Sequence, residues 1–393
     1  MRTLPLIPLT TSSFKILPPL SLYIHIPWCV RKCPYCDFNS HEARSHFPEQ
    51  EYVAALVQDL EMALPQIWGR KVYTIFFGGG TPSLLSGEGV AEILRNVRML
   101  LPLALDAEIT LEANPGTVEA ARFAAYRDAG VNRLSMGIQS FNDTHLRSLG
   151  RIHSADEAKR AIDIAQSHFD NFNLDLMYAL PNQTLNEALL DVHTALSFAP
   201  THLSCYHLTI EPNTLFYHQP PTVPDDDTSS DMQDEIEKAL AAHGYQHYET
   251  SAFALPHRRA KHNLNYWQFG DYLGIGAGAH SKISFHDKIV RQARYKQPQA
   301  YMSQVAAGKP IQTEAIISKN ELGFEFMMNA LRLNDGFAST LFQERTNLPL
   351  HTLQKALALA EGRGLLTRDH QHLAPTLQGQ RFLNDLLAIF LKS

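Results

Sequence analysis

Three of the four cysteines of this chain lie within eight positions, in the segment HIPWCVRKCPYCDFNS (25–40). Cys29, Cys33 and Cys36 have the spacing C-x3-C-x2-C. Three thiolates on one short loop can ligate three irons of a cubane [4Fe–4S] cluster, whereas a cluster held entirely by protein uses four cysteines. The spacing therefore predicts a cluster with one iron left open to another ligand.

Two other chemistries remain open for the same cysteines. A structural zinc site needs four ligands, and His25 or His41 could supply the fourth, although C-x3-C-x2-C is not among the usual zinc spacings. A redox pair formed by the last two cysteines would leave Cys29 without a role. The fourth cysteine of the chain, Cys205, lies among apolar neighbours, which indicates a buried core residue.

Apolar, β-rich segments alternate with amphipathic segments along the first half of the chain and must position this loop. The predicted strands are 22–27, 72–77, 108–113, 132–138, 172–178 and 203–210. The predicted helices between them are 48–64, 87–101, 117–129, 154–168 and 184–198. This βα alternation occurs about six times, and it predicts a parallel sheet covered by outer helices.

An open doubly wound sheet and a partial barrel both fit this alternation. The unusual residues follow several different strands: the cysteine loop follows the first, GGGTP (78–82) the second, Glu112 ends the third, Gln139 follows the fourth and Asp175 lies in the fifth. A barrel collects its working residues from many strand ends, whereas a doubly wound sheet uses one switch point. We therefore predict an α/β fold with a partial (β/α)6 barrel.

The alternation changes near residue 300. Helices are predicted at 318–333, 352–366 and 378–393, with a short hairpin between the last two. This pattern indicates a small, mainly helical C-terminal domain of winged-helix type. The predicted division is an N-terminal extension (1–20), a barrel with its extension (21–300) and the C-terminal domain (301–393).

Composition excludes several classes of protein. The net charge of −6 and the lack of a long basic run argue against a nucleic-acid partner. No segment approaches the roughly 20 apolar residues that span a bilayer, and the N-terminus lacks the pattern of a signal peptide. Four cysteines, three of them clustered, do not form a disulfide framework. We expect a cytoplasmic protein without an integral membrane segment.

The cysteine loop, together with FFGGGTP after the second strand, resembles the radical S-adenosylmethionine (SAM) superfamily. In that superfamily SAM chelates the open iron, and electron transfer cleaves it to a 5′-deoxyadenosyl radical, so the cofactor supplies the difficult chemistry. The resemblance implies SAM contacts from residues beside the cluster and at successive strand ends. These are Tyr23, Tyr35, Gly79, Gly80, Thr81, Glu112, Gln139, Arg151 and Asp175.

The chain also resembles the anaerobic coproporphyrinogen III oxidases and their relatives over nearly its whole length. The motifs are YIHIPWC, CPYCDF, FFGGGTPS, LEANPGT, RLSMGIQSF, LGRIH and DLMYALPNQT. The true oxidases typically carry a fourth cysteine where this chain has Phe38, and a longer segment before the cluster. HNLNYW (262–267) fits the H-N-x-x-Y-W motif of the haem chaperone branch, HemW. These features favour that branch.

The resemblance implies a haem chaperone that binds a [4Fe–4S] cluster, SAM and haem and delivers haem to respiratory haem proteins. His262, Tyr266 and Trp267 are the implied haem contacts. Coproporphyrinogen oxidase activity is not expected, and whether SAM is turned over is left open, as is transient membrane contact during delivery. The alternatives are an oxygen-independent coproporphyrinogen III oxidase, which decarboxylates its substrate oxidatively, and a radical SAM enzyme with an unrelated substrate.

Overall fold

The computed structural model describes residues 14–43, 47–116 and 119–391. The strands are β1 Leu20–Ile26, β2 Trp28–Cys29, β3 His41–Glu42, β4 Val72–Gly79, β5 Leu103–Ala113, β6 Arg133–Gln139, β7 Phe172–Tyr178, β8 His202–His207, β9 Gln246–Glu249, β10 Ala252–Ala254, β11 Asp271–Ile275, β12 His280–Ser284, β13 Ile289–Arg294, β14 Ile311–Ile316, β15 Phe337–Ala338, β16 Leu366–Arg368 and β17 His372–Pro375.

The helices are α1 Glu49–Ile67, α2 Gly87–Leu100, α3 Glu119–Ala129, α4 Asp143–Ser148, α5 Ala155–His168, α6 Leu185–Ser197, α7 Leu215–His218, α8 Asp226–Ala242, α9 Lys261–Trp267, α10 Pro298–Ala306, α11 Lys319–Ala330, α12 Ser339–Thr346, α13 Gln354–Gly362, α14 Leu377–Arg381 and α15 Leu383–Phe390. Short 3-10 helices cover Pro82–Leu84 and Leu350–Leu353. Among the helices of the described residues, none combines the length and apolar composition needed to cross a bilayer.

Six parallel strands form the centre of a 12-stranded sheet. Strands β1, β4, β5, β6, β7 and β8 are neighbours in chain order, and each pair is parallel. The order never reverses within this set, so the sheet has the barrel type of winding rather than the doubly wound type. The sheet ends at β14 on one side and β9 on the other and is not closed. The predicted partial barrel is confirmed.

The helices between these strands begin at the residues that their sequence indicates. Ser154 and Glu157 form a capping box at the start of α5, and Thr184 and Glu187 form another at the start of α6. These caps fix where α5 and α6 begin, and so hold the ends of β6 and β7 at fixed positions along the rim of the sheet.

Strands that the sequence did not predict extend the sheet at both edges. β11 adds parallel to β1, and β12, β13 and β14 follow it as antiparallel strands. β10 and β9 extend the other edge beyond β8. The sheet therefore continues as far as Ile316, beyond the predicted boundary at residue 300, and the division into domains stays a prediction.

The C-terminal part is mainly helical, as predicted, with a three-stranded sheet in the order β15–β17–β16. Its hydrophobic core surrounds Phe326, whose ring contacts those of Phe269, Phe337 and Phe342 edge to face. The predicted hairpin is present as β16 and β17. The last predicted helix is interrupted at Phe382, which separates α14 from α15.

Candidate functional site

A cavity of about 640 Å³ runs along the inner face of the central sheet. Its lining extends from the C-terminal ends of the strands, beside the cysteine loop, to their first residues, such as Arg133 and His202. Every residue that the sequence placed in a site lines this cavity: Tyr23, Cys29, Cys33, Tyr35, Cys36, Gly79, Gly80, Thr81, Glu112, Gln139, Arg151, Asp175, His262, Tyr266 and Trp267. The fold thus brings them together, and their individual roles remain predictions.

Cys29 ends the short strand β2, and Cys33 and Cys36 lie on the loop that connects it to its partner strand β3. All three are free thiols, and the amide of Cys36 donates a hydrogen bond to the carbonyl of Cys33 at 3.2 Å. Burial raises the pKa of the Cys29 thiol and of the Cys36 thiol. The guanidinium of Arg151 lies 3.8 Å from the Cys33 sulfur and places a positive charge where thiolates would be held.

The donor set at the cavity mouth fits a cubane with one open iron, because it supplies three thiols. Within the described ranges, no three His, Cys, Asp or Glu side chains converge around one point as ligands of a single ion do. Both ring nitrogens of His25 are already hydrogen-bonded, Nδ1 with the Tyr23 hydroxyl at 3.0 Å and Nε2 with the Asn39 carbonyl at 2.9 Å. A zinc site completed by His25 would have to break one of these bonds.

The glycines after β4 allow that strand end to pack against the cysteine segment. Gly79 has a φ of 116°, and a Cβ there would lie 2.6 Å from the His25 ring. A Cβ on Gly80 would lie 2.5 Å from the Trp28 carbonyl oxygen and 3.0 Å from the Cys29 sulfur. The amide of Gly80 donates instead to the carbonyl of Ile26 at 2.8 Å. Only glycine permits this close approach, which fixes the position of Cys29.

Two carboxyls face the cavity from neighbouring parts of the sheet. Burial raises the pKa of Glu112 to about 8, and the nearby Asp175 adds to the shift. The amide of Gly79 donates to Glu112 Oε2 at 3.3 Å. Asp175, whose pKa burial also raises, accepts hydrogen bonds from Ser135 at 3.1 Å and from Asn173 at 2.8 Å. Both carboxyls are therefore held in place, and burial disfavours a negative charge on each of them.

Replacing Glu112 with glutamine is expected to flatten the pH dependence of stability. The folded-state pKa of about 8 lies above the ordinary value of 4.5, so the stabilising contribution of protonated Glu112 is complete at acidic pH and is lost as the pH rises through 8. Between pH 4.5 and 8 the unfolded chain has lost this proton and the folded chain still holds it. The free energy of unfolding of the parent therefore falls by up to about 1.4 kcal/mol per pH unit through this one group. Denaturant unfolding of the metal-free protein at several pH values measures the slope.

Glu61→Gln is the matched control, because Glu61 is exposed on the outer side of α1 and the same charge is removed. It should keep the pH dependence of the parent. If the free energy of unfolding changes equally with pH in the parent and in Glu112→Gln between about pH 5 and 8, Glu112 is ionised normally in the folded state.

Gln139 and Arg151 occupy constrained positions at the rim. Gln139 ends β6 with a φ of 68°, a left-handed conformation that is unfavourable for a residue with a side chain and that concentrates at functional sites. Nη2 of Arg151 donates to Asn114 Oδ1 at 2.7 Å and to the Gly137 carbonyl at 2.6 Å. Both residues are therefore positioned before any ligand binds.

His262 lies on α9 at the inner end of the cavity, only 1% exposed. Its Nδ1 is hydrogen-bonded with the Thr74 hydroxyl at 2.7 Å, and its Nε2 with the Tyr266 hydroxyl at 3.1 Å. The ring also stacks on Phe76, with the centroids 5.0 Å apart. Burial lowers the pKa of His262 to about 3, so the ring is neutral. It could bind a metal only after one of its two hydrogen bonds breaks.

Trp267 connects the cavity to the C-terminal part of the chain. The guanidinium carbon of Arg332 lies 4.3 Å from the centre of the Trp267 ring, a cation–π contact. Arg332 also forms an ion pair with Glu249 at 3.3 Å. The turn that follows α11 therefore supports the wall of the cavity through Arg332.

Several cavity residues escaped the sequence interpretation although the strands contain a signal for them. Alternate residues of a strand share one face, and with Gln139 and Asp175 taken as inward-facing the same spacing selects further residues. Those that line the cavity are Arg133, Ser135 and Gly137 on β6, Asn173 and Met177 on β7, and His202, Ser204 and Tyr206 on β8.

A second cavity of about 460 Å³ adjoins the first on the side of β1. It shares Tyr23, Phe38, Gly79, Glu112 and Tyr266 with the first cavity. Phe38, 62% exposed, lies in the cysteine loop where the two cavities meet. The glycine-rich segment 272–281 contributes Tyr272, Gly278 and His280 to this second cavity.

The fold and the cysteine loop define a class of protein, and comparison with known sequences agrees. Residues 23–194 match the family described as the Radical SAM superfamily, and residues 317–382 match the HemN C-terminal domain. The solved structure of coproporphyrinogen III oxidase (HemN) from Escherichia coli, described as a radical SAM enzyme, aligns with a TM-score of 0.80 at 24% identity, covering 95% of this chain and 90% of that chain. At this identity the match shows the fold alone.

Closer relatives define the branch. The chain is 50% identical to "Heme chaperone HemW" of Escherichia coli (strain K12), over 95% of this chain and 99% of the relative. It is 48% identical to the protein of the same name from Haemophilus influenzae, over 95% of this chain and 98% of that one. The chain therefore belongs to the HemW family of the radical SAM superfamily, as the sequence predicted. Membership of the superfamily implies a [4Fe–4S] cluster and SAM.

Proposed function

We propose that this protein is a cytoplasmic haem chaperone. It binds a [4Fe–4S] cluster, SAM and haem, and it delivers haem to respiratory haem proteins. The observation that carries the proposal is the 50% identity, over almost the full length of both chains, to a protein named as a haem chaperone. Phe38, at the position where the oxidases carry a fourth cysteine, supports this choice over coproporphyrinogen oxidation.

Cys29, Cys33 and Cys36 would hold the cluster, because they are the three free thiols at the cavity mouth. SAM would lie beside them, against Gly79, Gly80 and the half-buried Glu112. When bound, the cluster and SAM supply one-electron chemistry. The protein's own contribution is positional: Arg151 holds a positive charge near the loop, and the remaining predicted SAM residues, Tyr23, Tyr35, Thr81, Gln139 and Asp175, line the same wall.

Haem would bind against α9, where His262, Tyr266 and Trp267 line the cavity. Aromatic rings at this position suit the flat face of a porphyrin. Ligation of iron by His262 requires its Nε2 to exchange the Tyr266 hydroxyl for the metal. The cost of that exchange is the loss of one buried hydrogen bond, which haem-iron coordination can offset.

Haem titration of the reconstituted protein tests the proposal. The parent should bind haem, and His262→Gln should bind about tenfold more weakly with an altered haem absorption spectrum. Glutamine is chosen because its side-chain amide can still form a hydrogen bond with the Thr74 hydroxyl in the buried site. His257→Gln, at an exposed position, is the matched control and should bind as the parent does.

Two results would contradict the proposal in different ways. Failure of the parent to bind haem would remove the chaperone function. Anaerobic conversion of coproporphyrinogen III to protoporphyrinogen IX by the reduced, SAM-loaded protein would establish the oxidase activity instead. An unchanged spectrum and affinity in His262→Gln would leave the chaperone function standing and exclude His262 as the iron ligand.

A further inference from the structure

Arg133 is a buried cation for which the described residues provide no ion-pair or hydrogen-bond partner. It is the first residue of β6, is 2% exposed and lines the 640 Å³ cavity at the end away from the cysteine loop. Its Nε has no hydrogen-bond partner. Within residues 14–43, 47–116 and 119–391, no ion pair and no hydrogen-bond acceptor is found for its guanidinium. Buried arginine is ordinarily paired, because an isolated buried charge is strongly unfavourable.

The polar groups around Arg133 bond with one another instead. Asn173 Oδ1 is hydrogen-bonded with His202 Nδ1 at 2.7 Å and accepts from the Ser204 hydroxyl at 3.1 Å. Burial raises the pKa values of Glu112 and Asp175, and the positive charge of Arg133 opposes that shift in both. Neither carboxyl forms an ion pair with it. The guanidinium therefore faces the cavity as an anion site that none of the described residues fills.

We propose that Arg133 binds a carboxylate group of the ligand that occupies this end of the cavity. A guanidinium presents parallel N–H donors that match the two oxygens of a carboxylate, and the match is strongest where water is excluded. The proposal rests on the proposed function, which supplies haem, whose propionates have this chemistry. The methionine carboxylate of SAM is not a second candidate, because SAM is expected beside the cysteine loop, at the opposite end of the cavity.

Ligands with and without the carboxylate test the proposal. Binding of haem, haem dimethyl ester, SAM and 5′-methylthioadenosine is measured for the parent and Arg133→Met. If a propionate is the anion, Arg133→Met binds haem about tenfold to a hundredfold more weakly and loses the preference of the parent for haem over the diester. Arg133→Met should bind SAM and 5′-methylthioadenosine as the parent does, because neither is expected to reach Arg133.

Arg160→Met, at an exposed position on α5, is the control for loss of one positive charge and should bind all four ligands as the parent does. A folded Arg133→Met that binds each ligand within about twofold of the parent overturns the proposal. If Arg133→Met does not fold, Arg133→Lys is measured instead. We expect Arg133→Lys to bind haem more weakly than the parent, and unchanged haem binding would contradict the proposal. A parent that binds no haem contradicts the proposed function, whereas a parent that binds haem and its dimethyl ester equally well contradicts only the role of Arg133.

Discussion

Cys33→Ser is expected to abolish the visible absorbance of a reconstituted iron–sulfur cluster while the chain stays folded. Serine replaces the thiolate by a much poorer iron ligand, and a cubane held by three cysteines cannot lose one of them and remain stable. The half-buried Cys33 contributes no side chain to either large hydrophobic core. Iron and sulfide analysis together with circular dichroism of the anaerobically purified variant measures both parts of the prediction.

Cys205→Ser is the matched control, since the same chemical change is made at a cysteine in the core. Cys205 is 6% exposed on β8, and burial raises the pKa of its thiol to about 12. This variant should keep the cluster and lose stability, because a hydroxyl is buried among apolar neighbours. A full cluster in Cys33→Ser would refute the ligand assignment, and zinc without sulfide in the parent would refute the cluster itself.

Asp59→Asn is expected to lower the free energy of unfolding by about 3–5 kcal/mol, because it leaves a buried guanidinium without its counter-ion. Asp59, on α1, is fully buried and pairs with Arg294 of β13 at 3.2 Å. It also accepts from the Tyr301 hydroxyl at 2.9 Å and from the Gly276 amide at 3.3 Å. One carboxylate thus connects α1, α10, β13 and the turn after β11.

The effect is measured by denaturant unfolding of the metal-free variant and its parent. Asp156→Asn removes the same charge from an exposed pair, in which Asp156 lies 3.9 Å from Lys159, and should change stability far less. If Asp59→Asn unfolds at the same denaturant concentration as the parent, the buried pair does not stabilise the junction between the sheet and its extension.

The central sheet could be predicted because its information is local. The alternation of apolar and amphipathic segments sets the strands and helices between residues 20 and 207, and their order follows from short connections. The extension strands β9 to β14 are less regular and pair with distant partners, such as β11 with β1. Nothing in the sequence near Asp271 indicates that its neighbour in the sheet is Leu20.

Site residues were predictable in part for the same reason. Motifs at the ends of strands mark the rim, since parallel strands present their C-terminal ends on one side. Arg133 and His202 lie at the beginnings of their strands, and only the curvature of the sheet brings them to the same cavity. His262 was singled out by its motif, but its two hydrogen bonds, to Thr74 and Tyr266, become visible only when α9 is seated against β4.

The sequence by itself determined the cysteine triad, the parallel βα core, the family and the residues around the cavity mouth. Each depends on spacing of a few residues, which chain geometry converts directly into position. The tertiary structure decided which charges are satisfied. Asp59 finds Arg294 across 235 positions of the chain, whereas Arg133 finds no partner in the described residues. Pairing of buried charges depends on packing between distant segments, so only the folded chain shows which cation is left for a ligand.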